Sequence, residues 1–196
     1  MREAENIRAV EALGVDLMGF IFWPHSKRYV ASRPNYLPRN AKRVGVFVDA
    51  KVEEVKKIAD TYALDFIQLH GHETPEYCAQ LQGWQLIKAF NIATSADLMQ
   101  TAAYEGLVSY FLFDTKGECV GGNGKQFDWS VLTSYNGKTP FLLSGGIGPD
   151  DWKNIKLFQH PRFAGIDLNS RFETAPALKD TTLLQDFLTK FEPRTK

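Results

Sequence analysis

Cysteine, clustered charge and long apolar runs are scarce in this sequence of 196 residues. Its two cysteines, Cys78 and Cys119, are too few for a disulfide framework and suit a reducing cytosol. Lysine and arginine are scattered and balance the acids to a formal net charge of +0, which argues against nucleic acid or a membrane surface as partner. No apolar run approaches the ~20 residues of a membrane span, and the N-terminus lacks the apolar core of a signal peptide. We therefore expect a cytoplasmic globular protein.

Short apolar runs with amphipathic segments between them organise the chain. The runs are continuous rather than alternating, which is typical of parallel strands covered on both faces. Between two of them, Val52, Val55 and Ile58 share one helical stripe, with Asp49 as a candidate cap. Because strand and helix alternate throughout, residues 1–196 are predicted to form one α/β domain, a (β/α)8 barrel. The predicted strands are 19–22, 44–48, 66–69, 86–90, 110–113, 141–143 and 164–168.

This count is one strand short of a barrel. The chain opens on a helix, with Ile7, Val10 and Leu13 on one face, whereas a barrel of this kind begins with a strand. A seven-stranded open sheet is the alternative, but it would leave two long apolar edges exposed. We expect a barrel that lacks strand one.

Asp114 is the first candidate for chemistry, because it ends a buried apolar strand and a glycine-rich loop follows it. In parallel α/β folds the carboxyl ends of strands carry the catalytic residues. Asp128 is placed to cap the helix after that loop. The plainer interpretation is that Asp114 starts a turn, but similar strand ends recur along the chain.

Two further strand ends favour a phosphate site. Ser144 is followed by Gly145 and Gly146, and glycines there let backbone N–H groups approach an oxyanion closely. A glycine-rich turn is the alternative. The last strand ends in Asp167, with Asn169 and Ser170 after it; this places a second carboxylate at the mouth, unless these residues only form a turn or cap. We expect the phosphate near the start of a short helix around Thr174.

Two other segments have competing interpretations. Arg28, after the first predicted strand, could hold a substrate carboxylate, although most such basic runs are solvated loops. His70, His72 and Glu73 look superficially like metal ligands, but no supporting Cys or His pair accompanies them, so we expect no metal and place His70 at the mouth. Cys119, in the glycine-rich loop, has no evident base beside it and is read as an incidental thiol.

Together these motifs resemble the phosphoribosylanthranilate isomerase family of tryptophan biosynthesis, whose fold is a single (β/α)8 barrel. Each motif alone is weak, but all occur in register over the whole chain. The matching segments are 19–22 with Ser26-Lys27-Arg28-Tyr29, 44–48, Gln68-Leu69-His70-Gly71, Lys88-Ala89-Phe90, Asp114 with 121–124 and 127–129, Ser144-Gly145-Gly146, and 165–170.

Three positions depart from the family pattern. The family opens with Lys-(Ile/Val)-Cys-Gly-Met, and Met1 matches only the last of these residues, so the expected general-base cysteine would lie two places before residue 1. Low activity of the 196-residue chain is then expected. Lys27 replaces a proline, and Arg171 stands where the family usually has glycine, so that it adds a phosphate contact or crowds the site.

The resemblance implies an Amadori rearrangement of N-(5-phosphoribosyl)anthranilate to its 1-deoxyribulose 5-phosphate isomer. It implies Asp114 as general acid, Arg28, His70 and Asp167 as substrate-binding residues, and no cofactor or metal. The implied phosphate-binding residues are Gly145, Gly146, Asn169 and Ser170. The expected partner is a small phosphorylated substrate, and the expected state is a monomer or homodimer. Two alternatives remain open, a phosphate-ligand-binding barrel without turnover and another sugar-phosphate isomerase on the same fold.

Overall fold

Seven parallel strands form the centre of the structure, a computed structural model that describes residues 1–115 and 129–191. Each strand pairs with the next one along the chain, which is the strand order of a (β/α)8 barrel. All seven predicted strands are confirmed, with ends that differ by at most a few residues. They are β1 Leu17–Ile21, β2 Lys42–Phe47, β3 Phe66–Leu69, β4 Gln85–Ile92, β5 Tyr110–Thr115, β6 Phe141–Ser144 and β7 Phe163–Ile166.

The connections between strands carry helices of two kinds. The α-helices are α1 Ala4–Glu11, α2 Val52–Tyr62, α3 Pro75–Ala79, α4 Trp152–Leu157 and α5 Thr181–Phe191. The remaining helices are of the tighter 3₁₀ type and span Ser95–Tyr104, Trp129–Ser134 and Ser170–Phe172. No helix in the described parts of the chain is both long and apolar enough to cross a membrane.

The two faces of the sheet bury separate apolar clusters, because successive side chains of a strand point to opposite sides. The inner cluster, around Val44, Phe66 and Leu112, fills the concave face. The outer cluster includes Phe111 and Phe113 and packs the strands against the helices. The alternation therefore assigns each residue at a strand end to the interior of the barrel or to its helical side.

The sheet remains open between β1 and β7 in the described residues, where β1 pairs only with β2 and β7 only with β6. Beside this opening the backbone nitrogen of Met1 donates to the Gly19 carbonyl at 2.9 Å. The sequence analysis did not predict the antiparallel hairpin that follows β7, formed by β8 Glu173–Ala175 and β9 Leu178–Lys179. The prediction of a (β/α)8 barrel with one strand fewer is confirmed.

Two predictions of local structure were wrong. Asp49 does not cap α2, because the N-cap position is Lys51 and the Asp49 carboxylate instead accepts the backbone N–H of His72 at 2.6 Å. Thr174 lies in β8 rather than beside a helix start; the short helix at this end of the chain spans Ser170–Phe172. In both cases the polar residue is bound in tertiary contacts or in a hairpin, which local preference does not anticipate.

Candidate active site

The carboxyl edge of the sheet brings together polar side chains from three strands. Leu112 belongs to the inner cluster, so Asp114, two residues later, also faces the interior. By the same alternation Gln68 and His70 follow the inward-facing Phe66 of β3. Ser144 pairs in register with Asp114 across β5 and β6. The concave face thus ends in a polar mouth above an apolar floor.

Asp114 lies beside His70 at this mouth. His70 Nε2 is 3.4 Å from Asp114 Oδ2, and both side chains are roughly 30% exposed (29% and 30%). On the other side of the ring, Gln68 Nε2 is 3.0 Å from His70 Nδ1. Gln68 itself is buried, at 8% exposure. Gln68, His70 and Asp114 therefore lie in a row, from the buried amide through the mouth histidine to the predicted acid.

Asp167 lies on the same edge, directly after β7 and beside Ser144 of β6. Its backbone N–H donates to the Leu143 carbonyl at 2.8 Å, which extends the β6–β7 pairing by one residue. The Ser144 hydroxyl donates to Asp167 Oδ2 at 3.0 Å. A second carboxylate is thereby held at the mouth, two strands beyond Asp114.

The predicted phosphate segment contains two glycines in the left-handed region of backbone conformation. Gly145 and Gly146 have φ values of +94° and +66°, which residues with a side chain rarely adopt. Asn169 and Ser170 lie at the start of the short 3₁₀ helix. Arg171, in the same helix, is exposed and forms no ion pair with any described residue. Two backbone segments with small residues thus meet the mouth beside Asp167.

Arg28 reaches this edge from the loop after β1 and is held by a carboxylate that the sequence analysis did not identify. Its Nε and Nη2 atoms donate to Glu173 Oε2 at 2.8 and 2.6 Å. The Arg28 side chain is 26% exposed, whereas that of Glu173 is 4% exposed. Glu173 binds the Nε–Nη2 edge of the planar guanidinium, and no other described residue is hydrogen-bonded to the Arg28 side chain. The Nη1–Nη2 edge has the geometry to bind a second carboxylate.

Lys179 supports the same carboxylate from the hairpin. Its Nζ lies 3.2 Å from Glu173 Oε1 and 2.9 Å from Asn169 Oδ1, and it also donates to the Asn169 carbonyl. Burial lowers the pKa of Lys179 below its ordinary value. Burial alone would raise the pKa of Glu173, but Arg28 and Lys179 outweigh this effect and hold that pKa below its ordinary value. Glu173 is therefore an anion that orients Arg28.

The loop that carries His70 is anchored by a buried ion pair on the helical side of the sheet. Lys88 Nζ lies 3.0 Å from Glu73 Oε2 and 2.7 Å from the Gly71 carbonyl, and both charged side chains are almost fully buried. Glu73 also accepts the backbone N–H groups of Asp49 and Gly71. Glu73 is thus directed away from His70.

His72 is directed elsewhere as well. It is 96% exposed and pairs with Asp49, so His70, His72 and Glu73 do not converge. Among the described residues there is no group of three or more His, Cys, Asp and Glu side chains arranged to hold a metal ion.

Cys78, the cysteine within the described residues, does not lie at the mouth. Cys78 is buried in the outer cluster, and burial raises the pKa of its thiol to about 11. Cys119, Asp128 and the loop residues 121–124 lie outside the described residues. The mouth as described therefore holds carboxylates, one imidazole and one guanidinium.

Sequence reasoning missed four residues that organise this site. Gln68 had a usable signal, because it lies two residues before His70 in a strand and must share its face. Ser144 was noted only as part of a glycine-rich motif. No pattern in the sequence indicated Glu173 or Lys179 as partners of Arg28, since 145 residues separate Arg28 from Glu173.

Comparisons with known proteins agree on one family. The family model described as "N-(5'phosphoribosyl)anthranilate (PRA) isomerase" matches residues 1–190. The N-(5'-phosphoribosyl)anthranilate isomerase of Parabacteroides distasonis is 54% identical over an alignment of 196 positions, which covers 96% of this chain and 89% of the relative.

Solved structures show the same similarity. Phosphoribosyl anthranilate isomerase from Thermotoga maritima matches with a TM-score of 0.84 and 30% identity, over 98% of this chain and 95% of that chain. A structure of the isomerase in complex with reduced 1-(o-carboxyphenylamino)-1-deoxyribulose 5-phosphate matches with a TM-score of 0.81 and 27% identity, over 98% of both chains. A third structure, of monomers generated from the dimeric Thermotoga maritima protein, has a TM-score of 0.80 and 26% identity over 98% of both chains.

Proposed function

Because this chain belongs to the N-(5'-phosphoribosyl)anthranilate isomerase family, an enzyme family of tryptophan biosynthesis, we propose that it rearranges N-(5-phosphoribosyl)anthranilate to 1-(2-carboxyphenylamino)-1-deoxyribulose 5-phosphate. The observation that carries the proposal is the inward-facing Asp114 at a strand end, between His70 and the Ser144–Asp167 pair. Both chemical steps are proton transfers, so the reaction needs an acid and a base in one mouth.

Asp114 is the general acid. It gives its proton to the ribose ring oxygen, the bond from C1 to that oxygen breaks, and the nitrogen lone pair forms the C=N bond of a Schiff base. A base then removes the proton from C2 and leaves an enolamine. Addition of a proton to C1 and loss of the proton from the C2 hydroxyl group then produce the ketone at C2. An acid on a rigid strand end, aimed into the mouth, suits the first step.

The resemblance assigns the base to a cysteine of the family's first strand, which would fill the opening between β1 and β7. Cys78 does not suit this role, since its buried thiol has a pKa of about 11 and lies among the outer cluster. A phosphate-ligand-binding barrel without turnover is the alternative.

The remaining residues bind the two ends of the substrate. The free edge of Arg28, oriented by Glu173, holds the anthranilate carboxylate. Asp167 orders the ribose hydroxyls or the substrate amine, and His70 lines the mouth between the two ends. Backbone N–H groups at Gly145, Gly146, Asn169 and Ser170 bind the phosphate.

We further propose that the protein works in the cytoplasm, with a small phosphorylated substrate as its partner and without nucleic acid, a cofactor or a metal. Its state is a monomer or homodimer; the dimeric Thermotoga maritima relative supports the second.

Turnover is the direct test. We expect a form with Lys-Ile-Cys-Gly and a few strand residues placed before Met1 to convert N-(5-phosphoribosyl)anthranilate. By NMR, the anomeric C1–H signal should be replaced by that of a C1 methylene group, and the C2 ketone should appear. The form without this segment should be slower by ~10² or more, because a positioned base contributes about that much. Changing the added Cys to Ala should remove most of the gain. No turnover in any form would refute the isomerase assignment, and an ordinary rate of ~1–10³ s⁻¹ in residues 1–196 alone would refute the external base.

The phosphate site can be tested without turnover. Titration with inorganic phosphate should shift the backbone amide signals of Gly145, Gly146 and Ser170, because their N–H groups face the anion. Gly83 and Gly106, two other glycines with positive φ, serve as controls and should not move. Shifts confined to another region would rule out this placement.

A further inference from the structure

We propose that Gln68 holds His70 in a single neutral tautomer, so that His70 keeps the transferable proton of Asp114 on Oδ1. Gln68 and His70 are then positioning residues, and the acid that touches the substrate is Asp114. This inference deepens the proposed function and rests on Asp114 as the general acid.

The contact with Gln68 determines which nitrogen of the His70 imidazole carries the proton. The Nε2 atom of Gln68 can only donate hydrogen bonds, and it lies 3.0 Å from His70 Nδ1. With the Gln68 amide in this orientation, Nδ1 accepts a hydrogen bond, which places the ring proton on Nε2. Protonating Nδ1 as well would set two donors against each other. The N–H group of His70 is then on Nε2, the ring nitrogen that lies 3.4 Å from Asp114 Oδ2.

The position of His70 determines which carboxyl oxygen of Asp114 carries the proton. The His70 Nε2–H group lies 3.4 Å from Oδ2, and a donor beside this oxygen disfavours a proton on it. The proton of the acid form is then placed on Oδ1. Contacts of this kind are often long without substrate and shorten in the reactive complex.

Proton transfer to the substrate creates a negative charge on Asp114. When the Oδ1–H bond breaks and the proton passes to the ring oxygen, Asp114 becomes a carboxylate. The Nε2–H group then donates to a negative charge, and such a charge-assisted hydrogen bond is stronger than a neutral one. His70 itself neither gains nor loses a proton.

The burial of Gln68 distinguishes this arrangement from an ordinary polar contact. Gln68 sits at the inner face of β3, two residues after Phe66 of the apolar cluster, and is 8% exposed. A buried amide destabilises the fold unless it is hydrogen-bonded. Among the described residues, the one hydrogen bond of the Gln68 side chain goes to His70. The amide is therefore held in place with His70 as its partner.

The tautomer can be read directly by ¹⁵N NMR of histidine-labelled protein, since the chain has four histidines and His70→Gln identifies the signal. We expect His70 with a bare Nδ1 and a protonated Nε2. Gln68→Glu replaces the donor by an acceptor and should protonate Nδ1. Gln68→Leu removes the amide without adding charge and should give a mixture of tautomers. It replaces Gln68→Glu as the test if the glutamate variant does not fold. Gln85→Glu, at an exposed position where β4 begins, is the matched control and should leave the His70 signal unchanged.

Kinetics test the second half of the inference, in a form of the protein that turns over substrate. Gln68→Glu should lower kcat by ~10-fold or more with KM changed by less than about threefold, because the acid is misdirected while binding is retained. A protonated Nδ1 in the unaltered protein would overturn the tautomer assignment. An altered tautomer with unchanged kcat would overturn the role in directing the proton. A wrong functional assignment gives a different result: the form with unaltered Gln68 would not convert the substrate, and the tautomer measured by NMR would be unaffected.

Discussion

Asp114→Asn, introduced into a form that converts the substrate, should lower kcat by ~10² or more and leave KM close to its original value. The amide has the shape of the carboxyl group but no acidic proton, so the ribose ring oxygen must take its proton from water. A positioned acid typically contributes 10²- to 10⁴-fold, and a loss of 10² corresponds to about 2.7 kcal/mol of transition-state stabilisation. Steady-state rates at several substrate concentrations give kcat and KM separately.

The matched control is Asp65→Asn. Asp65 precedes β3 at the opposite end of the sheet, where it pairs with Lys42, so the same chemical change should leave kcat unaltered there. Thermal unfolding of both variants checks that the fold is kept. Near-normal turnover by Asp114→Asn would remove this residue from the mechanism.

Lys88→Met should destabilise the protein by about 3–5 kcal/mol, because it leaves the buried Glu73 carboxylate without its cation. Total stabilities are only about 5–15 kcal/mol, so this single change removes a large part of the total. It also frees the Gly71 carbonyl, which Lys88 binds within the loop that carries His70. Denaturant unfolding at neutral pH measures the change in free energy.

Lys42→Met makes the same substitution in an exposed ion pair with Asp65 and should cost less than about 1 kcal/mol. The double variant Lys88→Met/Glu73→Gln should recover part of the loss, since the amide oxygen can still accept the Asp49 or Gly71 N–H group without a buried charge. Equal costs for Lys88→Met and Lys42→Met would contradict the assignment of the buried pair as a main anchor of the loop.

Much of the fold was predictable because its signals are local. Continuous apolar runs marked all seven strands, and their regular spacing with helical stripes predicted the (β/α)8 class. Asp114 and Asp167 were identifiable as candidates because each follows such a run directly. Since parallel strands all end on the same side of the sheet, strand-end residues share one mouth whatever the loops do.

The tertiary structure alone decided how these candidates are held. Glu173 orients Arg28 across 145 residues, and Lys179 reaches Glu173 from a hairpin that no periodicity predicted. The sequence by itself determined which strand-end residues share one face of the sheet, because alternation along a strand is a property of the backbone. Which charges meet there, as with His70 beside Asp114, depends on strand register and loop paths. Those are set by packing between distant segments, and no local pattern encodes them.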